Sequence, residues 1–544
     1  VLGGATKTKV FELAGVDPTS SRTGRVEVLL QGGSDAEGVV DHHVEVYLNG
    51  SYVGETEWDG KRPERFAVEV AGSVLREGAN ELGVRNVGDT GVHSLVFLDR
   101  FEVAYPQRSE LRGGSFEGEW AEGGIARIAL GPLGAVAALE VSEPGDPVWL
   151  GGVEAIGDWA SLRVEGGRRY VVATAEGVLA PRVSYPVASS LRSGTNRADY
   201  VLIAPREFLG AAEPLLERRR GEGLVTKGVS LEEIASVFGH GEASGEAIWS
   251  FLTYAYHEWR RPSPRYVVLL GDASHDPRNF IGTSGKAPLP ALFVKTSYLV
   301  TASDPTLGAV NGEDVVPDLS IGRLPAQTVE QAQVLVEKLI AWEETGQGLG
   351  GRAVLVADDP DEAGDFEANV RDIRESYLGG RETRTILLSE QGSSTRGRIL
   401  EELDGGASLL SYVGHGGAAV WASENVLNSW DVSSLREQSE QPLMLTLNCL
   451  NGYFVAPGFD SLGEAYLKAR GRGTIGAFSP SGLSLDAAAH ELHRALMEEL
   501  TGGGHERLGD AILAAQQAYA RTGLMPELLS IYHLLGDPAL RMKP

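Results

Sequence analysis

From residue 1 to about 190, apolar and polar positions alternate with a period of two, the pattern of strands that bury one face. Val44-Glu45-Val46-Tyr47-Leu48 alternates, breaks at Asn49-Gly50 and resumes at Ser51-Tyr52-Val53. Asn-Gly between two such runs predicts a type I′ hairpin, because both central residues of that turn take positive φ. Short runs at 66–70, 81–84 and 95–98 follow, a spacing that predicts a sandwich or jelly roll ending near Tyr105-Pro106. Gly-rich, strand-like sequence continues through 107–190, as in Ile125-Ala126-Arg127-Ile128-Ala129-Leu130 and Tyr170-Val171-Val172-Ala173. It reads as a second β unit or an extension of the first.

Beyond Ala198 the period changes. Tyr200-Val201-Leu202-Ile203-Ala204 is apolar throughout, as a strand covered on both faces is, and a helical segment follows at 211–220. Leu224-Val225-Thr226 is strand-like, 246–259 is helical, and Tyr266-Val267-Val268-Leu269-Leu270 is another buried run. Thr328-Val329-Glu330-Gln331 has the form of a capping box opening a helix through Glu344. A second set of runs lies at 353–357, 385–388, 409–413, 443–447 and 474–478, with closing helices at 486–500 and 508–522. Strands alternating with helices imply a mainly parallel, helix-flanked sheet. The expected organisation is a β-sandwich at 1–106, a second β region or extension at 107–195, and two α/β halves at 196–350 and 351–544.

At 544 residues the chain is too long for one core, in keeping with three or so domains. Its 70 glycines point to many tight turns. A formal charge of −27 argues against nucleic acid and anionic membranes as partners. The same acidity suits an exported protein, or one that holds Ca²⁺ in acidic loops. One cysteine excludes an intrachain disulfide and a Cys-based zinc site. No run approaches the roughly 18 apolar residues that a membrane span needs. The opening Val1-Leu2-Gly3-Gly4 carries neither Met nor a signal-peptide pattern, as a removed targeting segment or a trimmed chain would both produce. Oligomeric state is not legible.

The reactive chemistry gathers at two strand ends. Cys449 follows the apolar run that ends in Leu447-Asn448, and His415 lies in Gly414-His415-Gly416-Gly417 after the run ending in Val413. In open α/β sheets, sites are built at the C-terminal ends of strands. A thiol and an imidazole brought there form a thiolate–imidazole pair. Otherwise Cys449 is a small buried hydrophobe and the glycines are a strand-to-loop turn.

These segments, with Trp421, Glu424, Pro442 and the Cys449-x-x-Gly452-x-Phe454 spacing, resemble the gingipain family of cysteine peptidases. So do Leu269-Leu270-Gly271-Asp272-Ala273-Ser274, the 314–325 segment and the terminal Leu535-Gly536-Asp537-Pro538-Ala539-Leu540, so that the resemblance covers about 196–544. It implies an α/β caspase-like catalytic domain of two subdomains behind an all-β N-terminal region. It implies a cysteine endopeptidase acting on protein or peptide substrates, with Cys449 as nucleophile and His415 as general acid/base. The backbone N–H groups of Gly416 and Cys449 are the oxyanion donors it implies. In arginine-specific members an acidic residue precedes the Asp of a segment like Ser303-Asp304-Pro305-Thr306-Leu307-Gly308; here Ser303 stands in that place. Asp304 is therefore the nearest residue to orient His415, or else a loop-capping Asp. Asp314 matches the acidic residue at the base of the P1 pocket, which implies a basic P1 residue. With Glu313 and Asp318 it otherwise forms a solvated or Ca²⁺-binding loop. The chemistry requires no cofactor, structural Ca²⁺ is an expectation, and the resemblance implies a secreted or cell-surface bacterial protein. The alternative is an inactive peptidase-fold scaffold of the surface or export machinery, whose Cys449 would lack thiolate reactivity.

Other motifs carry bland readings. His490 and His493 are three apart where a zincin needs four, and read as a surface helix. His42 and His43 point to opposite faces of a strand. Asp272, Ser274, His275 and Asp276 read as a polar strand-end loop near the cleft, and Asp358-Asp359-Pro360-Asp361-Glu362 as a solvated linker rather than a calcium loop. Tyr47, Tyr52, Trp58 and Phe66 are too few to mark a carbohydrate-binding face and are readily absorbed by a core.

Overall fold

Asn49 and Gly50 sit at φ 51° and 79°, as the type I′ turn requires, and join strands His42–Leu48 and Ser51–Trp58. In this computed structural model, which describes residues 1–36, 39–130, 136–183, 185, 188–283 and 285–543, the hairpin belongs to the first of two units, Val1–Val183 and Ser184–Pro544. A four-stranded and a three-stranded antiparallel sheet form a sandwich there. Val26, Val28 and Leu30 of one sheet pack with Val44, Val46, Leu82 and Val84 of the other, each pair of residues two apart, as a period of two dictates. Trp58 is buried in this core against His42, while His43 points outward to Asp89. The region after 107 has a core of its own around Ile128, Leu162 and Val172, between another four-stranded and another three-stranded sheet.

The second unit is built on one ten-stranded sheet. Strands Thr226–Ser230, Tyr200–Ala204, Tyr266–Leu270, Ser320–Leu324 and Tyr532–Leu535 run parallel to one another. Strands Gly476–Pro480, Leu443–Leu447, Leu409–Val413, Ala353–Ala357 and Thr383–Leu387 form a second parallel set. The sets meet antiparallel where Gly476–Pro480 pairs with Tyr532–Leu535. The boundary expected at 350 thus falls in a connection between two sets of one sheet, and the last strand returns to the first set. All five residues of most central strands are buried, because helices cover both faces. Among the described residues no helix is long and apolar enough to cross a membrane.

The helix Asp486–Thr501 is a surface helix as expected, with Ala487, Glu491 and Glu498 exposed, but His493 falls on its buried face. His493 lies fully buried, with Nε2 3.1 Å from Ser411 Oγ on the sheet, while His490 Nε2 meets Asp372 Oδ2 at 3.2 Å. Burial holds the His493 imidazole neutral, pulled down from 6.5 to about 3. The unfolded chain takes up that proton near its ordinary pKa and the folded chain does not. His493 therefore costs nothing above that value, and stability falls by about 1.4 kcal/mol per pH unit as pH drops from there toward the folded value. Urea unfolding at about pH 7 and about pH 5.5 should show a smaller loss for His493→Gln than for the wild type.

Candidate active site

Strand register sets the height of the site. Ala357 pairs with Val413, and Val413 with Leu447. Asp359, His415 and Cys449 each lie two residues beyond, so they leave the sheet at one level on adjacent strands about 4.8 Å apart. The two reactive loops are closed by absent side chains. A Cβ on Gly416 would lie 2.1 Å from Asn448 Nδ2 and 2.8 Å from the Cys449 carbonyl oxygen. Gly414, at φ 152°, has room for no Cβ either, since one would lie 2.3 Å from the Asp358 Cβ.

His415 is held at several points. Its N–H donates to Asp358 Oδ2 at 2.8 Å, and its carbonyl accepts the Tyr412 hydroxyl at 2.7 Å and the Ala422 N–H at 2.9 Å. The exposed ring stands edge-on to Phe366, centroids 5.3 Å apart, and Nε2 lies 2.8 Å from Asp361 Oδ2. The bond to His415 holds the Asp361 carboxyl below its ordinary range, helped by the Ala363 N–H. Burial pushes the Asp358 carboxyl up, opposed by the N–H groups of His415 and Asp359.

Cys449 is half-buried, its Sγ 3.8 Å from the Ser484 carbonyl. Its N–H meets no acceptor among the described residues. Leu450 follows at φ 63°, a left-handed conformation that costs a leucine on the order of 1 kcal/mol or more. Its N–H to Gly482 and its carbonyl to the Tyr453 N–H hold it there. Asn451 ties the two loops together: Nδ2 donates to Gly417 O at 2.6 Å, and Oδ1 accepts both Trp421 Nε1 and Asn448 Nδ2 at 2.6 Å. Nothing in the sequence patterning singled out Asn451, although an Asn two residues past a reactive Cys is a local cue.

The structure gives Asp304 a different partner from the one expected. Both of its oxygens take Arg323, Oδ2 from Nε at 2.7 Å and Oδ1 from Nη2 at 2.8 Å, with both side chains buried. The carboxylate on His415 is Asp361 instead, within the acidic run read as a solvated linker. Residues 359–362 are exposed, as that reading expects, but the Ala353–Ala357 strand neighbours the His415 strand and its C-terminal loop passes the imidazole. Asp272 is also no cleft residue: its strand belongs to the set running the other way, and its buried carboxylate takes Gln327 Nε2 at 2.8 Å and Lys468 Nζ at 3.2 Å. Asp314 is exposed, with Oδ1 accepting the Val316 N–H at 3.0 Å. Its loop enters the Ser320–Leu324 strand at the edge where Cys449 and His415 emerge, because the two strand sets are opposed.

Among the described residues, three sets of carboxylates are close enough to share an ion, each with oxygens within 4.8 Å of one another: Asp35, Asp41 and Asp59; Asp272, Asp460 and Glu464; and Asp358, Asp359 and Glu424. In the second, Lys468 Nζ already sits 2.8–3.2 Å from all three carboxylates. In the first, both Asp41 oxygens accept backbone N–H groups, from Ala36 and Gly60.

The model of peptidase family C25 matches residues 193–543. Gingipain R2 of Porphyromonas gingivalis is 22% identical over 361 residues, 63% of this chain and 46% of the relative. The match thus spans about half the length of that relative. Among solved structures, the Arg specific cysteine proteinase gingipain R superposes with a TM-score of 0.53 at 20% identity, over 66% of this chain and 80% of that one. Dimeric latent PorU from Porphyromonas gingivalis gives a TM-score of 0.53 at 16% identity, over 99% of this chain and 50% of that one. These likenesses show the fold: a caspase-like α/β domain preceded by an all-β region. With the family model matched across nearly two thirds of its length, the chain belongs to peptidase family C25, a family of cysteine peptidases.

Proposed function

We propose that this protein is a cysteine endopeptidase that cleaves after basic residues, with Cys449 as nucleophile and His415 as general acid/base. The observation that carries the reading is the delivery of His415 and Cys449 to one level on adjacent strands, with Gly416 packed against the Cys449 carbonyl. The Cys449 thiolate attacks the scissile carbonyl, and the developing oxyanion is met by the N–H groups of Cys449 and Gly416. The His415 imidazolium then gives its proton to the leaving amine, and water hydrolyses the thioester. Asp314, on the same edge, is the proposed selector of Arg or Lys at P1. Net acidity and family membership favour an exported or cell-surface protein, with Ca²⁺ as a proposed structural ion rather than a catalytic one.

Asp361 orients His415 in this reading, filling the role that Asp304 does not. Asp361→Asn should lower kcat about tenfold with KM little changed, and Asp361→Glu should recover part of the loss. Steady-state kinetics on one peptide checks both.

The reading is tested with fluorogenic peptides varying P1, in reducing buffer with and without Ca²⁺, against Cys449→Ala. Turnover is expected only with Arg or Lys at P1, and Asp314→Asn should erase most of that preference. Turnover after neutral residues would keep the dyad and remove the acidic pocket. No turnover, with Cys449 inert to an acyloxymethyl ketone, would leave a peptidase-fold scaffold.

A further inference from the structure

A cavity of about 650 Å³ opens beyond the C-terminal ends of the Ala353–Ala357 and Thr383–Leu387 strands, which lie on the side of the His415 strand away from Cys449. Its place follows from register. Leu387 pairs with Ala357, Ala357 with Val413, and Val413 with Leu447. Asp359, His415 and Cys449 therefore stand in one row across three strands, and Ser389 lies in the short helix Leu388–Gln391 that begins at the end of the fourth. Ser389 and Asp359 line the cavity with Leu388, Arg396, Glu424 and Asn425.

A substrate crossing this row has its direction set by the chemistry. The acyl carbon must lie at Cys449 and the leaving nitrogen at His415, so the leaving peptide continues toward Asp359 and Ser389. Two to three strand spacings make about 10–14 Å, the reach of roughly three to four extended residues. The wall there is acidic in balance. Arg396 is committed to Asp431, whereas Asp359 and Glu424 are exposed and have no cationic partner within the described residues. Their oxygens lie within 4.8 Å of one another and of buried Asp358, close enough to receive one cationic head group together.

We propose that this cavity is a primed-side subsite that takes a lysine or arginine at P2′–P4′ of the leaving peptide. The proposal rests on the peptidase reading above, because that reading fixes which way the substrate runs. Asp359 and Glu424 act as specificity-determining residues, distinct from the P1 selector, and the selectivity weakens as salt rises.

The test uses internally quenched peptides identical from P4 to P1, with Lys, Ala or Glu at P2′–P4′. Lys over Ala is expected to raise kcat/KM about fivefold, and the ratio should fall to near one in Asp359→Asn/Glu424→Gln. In parallel, anisotropy measures binding of a fluorescein-labelled Lys-containing peptide to Cys449→Ala, with and without the same two substitutions. Cleavage with no Lys preference, or a preference that survives the double substitution, overturns the subsite. Millimolar Ca²⁺ that erases the preference also overturns it, since the carboxylates would then hold an ion. Absence of any cleavage by the wild type, with peptide binding still dependent on Asp359 and Glu424, removes the peptidase reading and with it the primed-side assignment, and upholds only the binding of a basic side chain at these two carboxylates.

Discussion

Replacing Cys449 by alanine is expected to abolish peptide hydrolysis, and replacing His415 by alanine to lower kcat by about three orders of magnitude or more. The two losses differ in kind. Without Cys449 no covalent acyl-enzyme can form, and nothing else in the sequence offers a thiol. Without His415 the thiol remains, but the leaving amine must depart without a positioned proton donor. Neither change should unfold the protein. Cys449 is only half-buried and its Sγ makes one weak contact to Ser484 O, while the His415 ring is exposed and its pinning runs mostly through the backbone. Thermal melts beside the kinetics would separate lost chemistry from lost fold.

Asp304→Asn is the second large effect, and it should appear in stability rather than in kcat of the folded fraction. Asp304 and Arg323 are both buried and bonded through two parallel N–H···O contacts. Removing one charge of such a pair strands the other, at a cost of about 3–5 kcal/mol. Arg323 also donates to the carbonyls of Gly271 and Leu289 and lies 4.5 Å over the Phe454 ring, five residues past Cys449. The pair thus supports the Cys449 loop from beneath. Making both residues apolar would not restore stability fully, because those carbonyls would lose their donor. Urea unfolding of Asp304→Asn, with kcat corrected for active-site concentration, distinguishes this role from the orienting one: an orienting aspartate would lose turnover while the unfolding midpoint stayed in place.

Asp304 and Asp361 take partners that local sequence does not reveal. Asp304 was the nearest acidic residue by motif, yet Arg323 claims it, and that contact joins positions 19 residues apart through the fold. By sequence alone Asp361 reads as part of a solvated acidic run. Only the placement of the Ala353–Ala357 strand beside the His415 strand brings it to the imidazole. His493 repeats the lesson in reverse: helical spacing predicts its helix but not that the sheet would cover it.

Local chemistry settled much in advance. Periods of two and runs of buried apolar residues marked most strands, Asn49-Gly50 set its turn, and Cys449 and His415 stood out because each follows an apolar run that only a covered strand explains. These are properties of a few neighbouring residues, and backbone geometry reads them directly. Strand order, the opposed direction of the two sets, the Asp361–His415 contact and the row from Cys449 to Asp359 belong to the tertiary structure alone. Each depends on which distant segments lie side by side, and that is decided by packing of the whole core rather than by any local pattern.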